Sequence, residues 1–351
     1  MGHLYVERVG RVNLIVGRNN AGKSTLLEAI RLWASQGSPS VFRDILVRHD
    51  EVRVGVPRAL ETHEDVFSGV LSLFHGREPR GPLDRQIQIE APLSPDSRLV
   101  IEPAYRRANG DTYRLPFSTV EGVFADVTPG LAVAFADREQ FFAAEVFTRA
   151  AARPATLTVR EDDSIATVSV GPEGLSGEQI GRLWDAIALT DLEERVIEAL
   201  RLITPEIERL SLVADEVGRR IAVVKVLGAN VPVPLRSLGD GVNRLLGTAL
   251  SLANARNGIA LLDEVENGVH YSVQPKVWDL IFSTAQRLNI QVFATTHSWD
   301  CIDAFQQAAV RDPHEEAALI RLDAVGGGEV RATIFDEREL SVVAREEIEV
   351  R

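Results

Sequence analysis

A chain of 351 residues, 45% of them hydrophobic, has room for two or three domains or for one large domain with insertions. Its formal net charge of -13 excludes a protein that coats nucleic acid through global charge, although a local basic patch stays open. The single cysteine, Cys301, excludes an internal disulfide. The sequence shows no Cys/His zinc pattern, membrane-length apolar run or signal peptide, so the expected setting is soluble and cytoplasmic.

In chain order, Leu4-Tyr5-Val6 reads as the stub of an edge strand. Val12 to Val16 is short, apolar and β-branched, the pattern of a buried parallel strand. Gly17-Arg18-Asn19-Asn20-Ala21-Gly22-Lys23-Ser24 follows and opens a helical run from Thr25 to Ala34. Leu26, Leu27, Ile30 and Trp33 share one face of that run, and Gly37-Ser38-Pro39-Ser40 ends it. The octapeptide is Gly-x-x-x-x-Gly-Lys-Ser/Thr in the order strand, loop, helix. Its glycines let successive N–H groups curl around a polyphosphate, and the helix start adds a positive dipole end. Lys23 is placed for the β- and γ-phosphates and Ser24 for Mg²⁺, with Gly17, Asn19, Asn20, Ala21, Gly22 and Thr25 completing the cradle. A chance match would be a plain glycine turn, but every fixed position is filled and the context is correct.

Glu64 to Phe74 is a second helical pattern. Gln86 to Glu90, Arg98 to Tyr105, Thr156 to Arg160 and Ala166 to Val170 read as half-buried antiparallel strands, which makes 37–170 a β-rich lobe. Phe141 to Ala152 is read as one helix within it. Residues 176–203 read as helices, broken at Thr204-Pro205. Ile207 to Val213 and Ile221 to Leu227 read as strands joined near Gly218, and Pro232-Val233-Pro234 as extended.

Ile259 to Glu264 is a buried strand ending in two carboxylates. At the carboxyl end of a nucleotide-binding sheet, Asp263 would hold Mg²⁺ through its water shell and Glu264 would orient or deprotonate the attacking water. A solvated acidic turn is the alternative for this segment alone. Gln291 to Ser298 is another apolar strand with a polar end, where His297 is either a γ-phosphate sensor or a helix cap. Ser237-Leu238-Gly239-Asp240-Gly241 precedes an amphipathic helix from Val242 to Ala255 and offers free N–H groups to an anion, or is an ordinary glycine turn.

The order of these segments resembles the ABC-type ATPase head. More closely, it resembles the AAA15/AAA21 branch allied to the OLD (overcoming lysogenisation defect) ATPases, and more distantly RecF and SMC/Rad50 heads. The resemblance is carried by residues 10–35 and 235–300 and implies an α/β P-loop NTPase with a mostly parallel core sheet. A single head over 1–351 is expected, with its nucleotide core at 1–36 and 206–351. The expected insertion at 37–205 holds an antiparallel β-lobe and helices. The resemblance further implies ATP and Mg²⁺ as ligands and an ATP-dependent homodimer. In that dimer Ser237, Gly239 and Gly241 of one copy complete the site of the other, and Glu266 to His270 is the D-loop crossing the interface.

Several departures shape the expectation. Ser237 to Gly241 is not Leu-Ser-Gly-Gly-Gln, so its register is open, and none of Gln86, Gln88 and Gln140 is assigned as a Q-loop. The strand expected before Val9 is reduced to His3 to Glu7, compatible with a shortened start. Residues 298–351 read as a helix, two strands and a terminal helix (Glu337 to Glu347) without Asp-x-Asp, too little for the Toprim nuclease domain of OLD nucleases. The implied role is an ATPase controlling a separate, nuclease-like effector in phage defence or DNA repair, without a membrane partner. The alternatives are a nucleotide-gated scaffold with little turnover, a transporter-energising subunit, and a head pair that binds DNA.

Overall fold

Every residue of Val12–Gly17 is buried, and this run of mainly apolar side chains forms a strand with a parallel neighbour on each side. The computed structural model describes residues 1–52, 63–77, 86–91, 97–114, 127–147, 157–158, 164–216, 219–311, 317–336 and 339. The chain forms two compact units, residues 3–27 with 156–351 and residues 1–2 with 28–155.

The chain begins with β1 (His3–Tyr5), β2 (Val12–Gly17), α1 (Lys23–Ala34), α2 (Pro39–Arg48) and α3 (His63–Leu71). Next come β3 (Ile87–Ile89), β4 (Leu99–Arg107), β5 (Thr112–Tyr113), β6 (Val127–Phe135) and β7 (Arg138–Ala143). β8 (Leu157–Thr158) and β9 (Thr167–Val170) lead to α4 (Gly177–Asp185) and α5 (Asp191–Leu200). Three further strands are β10 (Ile207–Ala214), β11 (Arg220–Val226) and β12 (Val233–Pro234). They are followed by α6 (Asp240–Asn254), β13 (Ile259–Leu262), α7 (Gln274–Leu288), β14 (Gln291–Thr295) and α8 (Trp299–Arg311). β15 (Ala317–Gly326) and β16 (Glu329–Asp336) complete the described elements.

The larger unit is built on a sheet of order β1-β16-β15-β2-β14-β13-β9-β8. Its five central strands, β15, β2, β14, β13 and β9, are mutually parallel, so their carboxyl ends lie on one edge. β16 returns antiparallel to β15, and the stub β1 pairs with β16 at the sheet's edge. Leu14 and Val16 of β2 join one apolar core with Leu246 of α6, Trp278 and Ile281 of α7 and Phe305 of α8. The ring of Trp278 meets Phe305 edge-on, with centroids 4.9 Å apart. β10, β11 and β12 form a separate antiparallel sheet in this unit.

The smaller unit holds an antiparallel sheet of order β3-β4-β6-β7, with β5 on β4. Its core packs Phe42 on Phe147 and Phe67 on Tyr105, both edge-on at 5.9 and 5.5 Å.

Local chemistry explains the helix starts. Ser176 and Gln179 form a reciprocal capping box at α4, and the Thr190 hydroxyl caps α5. α7 has a proline in its first turn and ends on Asn289 in the left-handed region, φ 53°.

The structure corrects several readings. Ala166 to Val170 is not a strand of an antiparallel lobe; β9 joins the large sheet parallel to β13, while only β8 lies antiparallel to it. Its alternation reported burial without reporting the partner. Phe141 to Ala143 is the end of β7, and one 3-10 turn follows at Ala144–Phe147; the rest of that expected helix lies outside the described residues. α2 and α7 were not anticipated. Gly218 and, apart from Glu339, the terminal helix at 337–347 lie outside the described residues.

Candidate active site

The phosphate loop joins β2 to α1 on the carboxyl edge of the parallel strands. It folds through three left-handed residues, Gly17 (φ 143°), Asn20 (φ 63°) and Gly22 (φ 95°). Gly17 cannot carry a side chain, because a Cβ there would run into the Leu322 carbonyl of β15. Ala21 N–H closes the turn onto Arg18 O at 3.2 Å, and Leu26 N–H starts the helix ladder on Gly22 O at 2.9 Å. Asn19, Asn20, Ser24 and Thr25 are exposed, whereas Ala21 and Lys23 are buried. The Lys23 ammonium donates to Gly17 O at 2.8 Å and Arg18 O at 3.0 Å. Burial lowers its pKa, and Asp263, Glu264 and Glu266 pull it back up.

Strand order brings the second segment to this loop. Ser24 Oγ lies 3.4 Å from Asp263 Oδ1, across 239 residues of sequence. Thr295, at the end of β14 and fully buried, bridges the two carboxylate residues. Its hydroxyl donates to Asp263 Oδ1 at 2.6 Å and accepts from Glu264 N–H at 2.8 Å. Glu264 itself has φ 48°, which turns the chain sharply after the strand. Asn267 Nδ2 donates to Glu264 Oε2 at 2.7 Å, and His297 Nε2 stands 3.7 Å from Glu264 Oε1. The His297 N–H donates to Glu266 Oε1 at 2.8 Å, fixing the His297 backbone on the 264–270 turn.

Arg244 of α6 ties the turn to the helix after Ser237 to Gly241. Its guanidinium donates to Gly171 O at 2.5 Å, Pro172 O at 3.3 Å and Glu264 O at 2.9 Å, and also to Asp263 O. Burial lowers its pKa. Gly241 lies against the same turn, where a Cβ would collide with the Gly268 carbonyl. Ser237 and Gly239 are exposed, with Gly239 at φ 110°. These residues thus connect to the Asp263–Glu264 end of the sheet through Gly241 and Arg244.

Sequence reasoning missed Thr295, Asn267 and Arg244. Thr295 precedes His297 by two residues and could have been suspected as a polar residue ending an apolar strand. Arg244 had a signal too, since it is the one basic residue of an amphipathic helix and falls on its buried face. Cys301 is buried, and desolvation pushes its thiol up to about 12, which makes it inert. Gln88 and Gln140 lie on β3 and β7 of the smaller sheet.

A strand–phosphate loop–helix unit and a strand ending in Asp263-Glu264 thus share one parallel sheet, with β14 between them. The fold is that of an α/β P-loop NTPase. Among the described residues no helix is long and apolar enough to cross a membrane.

A family model described as "AAA domain, putative AbiEii toxin, Type IV TA system" matches residues 177–300. That stretch contains Ser237 to Gly241, Asp263, Glu264 and His297 and excludes the phosphate loop. An "ATP/GTP phosphatase" of Helicobacter pylori is 23% identical over 330 residues, covering 86% of this chain and 83% of that protein. Among solved structures, an SMC head bound to the C-winged helix domain of ScpA is 14% identical, with TM-score 0.45, over 94% of this chain and 91% of its own. The SMC head domain from Thermotoga maritima is 16% identical, with TM-score 0.39, over 93% of this chain and 90% of its own.

Proposed function

We propose that this protein binds and hydrolyses ATP, pairs with a second copy of itself when ATP is bound, and through that cycle controls a separate effector. The observation that carries the ATPase reading is the convergence of Ser24, Asp263, Glu264 and His297, from three strand ends, beside the phosphate loop. The curated relative from Helicobacter pylori, named for nucleotide hydrolysis, supports the same reading.

Lys23 leaves the carbonyls of Gly17 and Arg18 for the phosphates of the nucleotide, for which the loop N–H groups and the start of α1 supply further donors. A hydroxyl and a carboxylate at 3.4 Å are hard oxygen donors suited to Mg²⁺, which keeps water and phosphate in most of its positions. A larger cluster is unnecessary, and among the described residues no group of three or more His, Cys, Asp or Glu is arranged to hold a metal. Magnesium, when bound, neutralises charge on the phosphates. Glu264, held by Asn267, accepts a proton from water, and His297 supports the transferring phosphoryl group.

Pairing is supported by the exposure of Ser237 and Gly239 next to a helix whose Arg244 clasps the Asp263–Glu264 turn. A second copy would reach the nucleotide with those residues, and ATP would join the two surfaces by linkage. Effector control in defence against phage or mobile DNA is the further part of the proposal; the matched family model is described by a putative toxin and a toxin–antitoxin system.

Glu264→Gln tests the reading. The variant is expected to bind ATP, to lose at least about a hundredfold in turnover, and to form a longer-lived dimer in sedimentation with ATP. Unchanged turnover would remove Glu264 as the base, and an ATP-loaded variant that stays monomeric would sink the pairing.

A further inference from the structure

An open groove of about 380 Å³ lies among α5, α6 and α7 of the larger unit. Its floor includes Leu192, Leu280 and Leu288, apolar side chains that rest on the core and are only partly covered. Its rim carries Arg195, Lys276 and Arg287, with the carboxylate of Glu198 among them. Among the described residues none of these three cations ion-pairs with a carboxylate; Asp279, also on the rim, is taken by Arg311 at 3.0 and 2.7 Å. The Arg287 guanidinium is pushed down in pKa by burial and then by Arg195, with Glu198 offsetting part of that. Arg195, Lys276 and Arg287 against Glu198, with Asp279 taken by Arg311, leave a local surface that is net positive in a chain of net charge -13.

We propose that this groove docks an amphipathic helix of a partner protein, its apolar stripe on the leucine floor and its carboxylates facing Arg195, Lys276 and Arg287. Three parallel requirements are met: an apolar trough, a rim whose three cations outnumber its two carboxylates, Glu198 and the Arg311-paired Asp279, and helices on each side. Arg–carboxylate pairs at the rim set orientation, while the leucines supply the buried area.

The position gives the docking a consequence. α6 begins at Asp240, after Gly239, and lends Arg244 to the carbonyls of Asp263 and Glu264, and α7 follows the 264–270 turn. An occupant of the groove therefore touches the helix that holds the Asp263–Glu264 turn and the helix that follows it. Its affinity is coupled to nucleotide state to the extent that those helices shift, and the coupling is reciprocal.

The test uses the full chain and two fluorescent helical peptides with one leucine stripe, flanked by glutamate in one and by lysine in the other. Anisotropy is expected to show the glutamate peptide binding at least about tenfold tighter, with affinity falling as salt rises. Combining Arg195→Glu with Arg287→Glu should invert the ranking, and Leu280→Asp should remove both signals, while ATP turnover without peptide stays at its original rate in each variant. The proposal is overturned if neither peptide binds, if both bind equally, or if charge reversal leaves the ranking as it was. Nucleotide-independent self-association that Leu280→Asp abolishes would assign the groove to a second copy and also overturn it.

Discussion

Asn267 Nδ2 donates a 2.7 Å hydrogen bond to Glu264 Oε2, which leaves Oε1 for His297, 3.7 Å away. The amide also reaches Pro172 O at 3.2 Å, so it is itself held. Asn267→Ala frees the carboxylate to rotate. Turnover is expected to fall about tenfold to a hundredfold, with the KM for ATP nearly unchanged, and steady-state kinetics reads both. A raised KM with intact kcat would place Asn267 in ground-state binding instead.

Thr295→Val removes the hydroxyl that joins Asp263 Oδ1 to the Glu264 amide. The isostere leaves a buried acceptor and a partly buried donor without that partner, at a cost of about 1–3 kcal/mol each. The midpoint of chemical denaturation should drop, and the Mg²⁺ dependence of turnover should move to higher concentration. Thr295→Ser, which keeps the hydroxyl, is expected to restore the Mg²⁺ dependence.

Arg244→Lys keeps the charge and loses the fork. One ammonium cannot serve carbonyls of Gly171, Pro172, Asp263 and Glu264 together. About 3 kcal/mol of stability should be lost, visible in denaturant unfolding. Nucleotide-dependent pairing, measured by sedimentation, should weaken beyond what that loss explains. Full pairing in a folded variant would disconnect α6 from the site.

His49 Nε2 lies 2.7 Å from Glu28 Oε1, and that bond raises the imidazole pKa above 6.5. The protonated ring is therefore favoured in the folded state. Its contribution is complete below the unfolded value and is lost as pH rises through the raised folded value. His49→Gln should flatten that part of the stability curve above about pH 6.5, as followed by thermal melting at a series of pH values. The pair is half-exposed, so the slope should shrink with added salt. A wild-type slope of the opposite sign would refute the assignment.

The legible parts of the fold were those in which one segment carries its own reason. Val12 to Val16, Ile259 to Leu262 and Gln291 to Thr295 announce buried strands by composition, and all three lie parallel in one sheet. α4 and α5 are announced by apolar residues at helical spacing over 176–203. β9 was misassigned because a four-residue alternation states which faces are covered and says nothing of the strand alongside. α2 and α7 passed unnoticed because each opens with a proline that reads equally as a loop signal.

Sequence by itself determined the residue types at the ends of three strands: Gly17 to Ser24, Asp263-Glu264 and His297. Phosphate cradling and carboxylate chemistry act over a few neighbouring residues, so the local pattern suffices. Only the tertiary structure decided that Ser24 meets Asp263 across 239 residues, that Thr295 bridges the carboxylate residues, and that Arg244 holds their backbone. Those contacts depend on strand order and on how α6 packs beside β9 and β13. Burial of many distant apolar side chains sets that order, and no single stretch of the chain contains it.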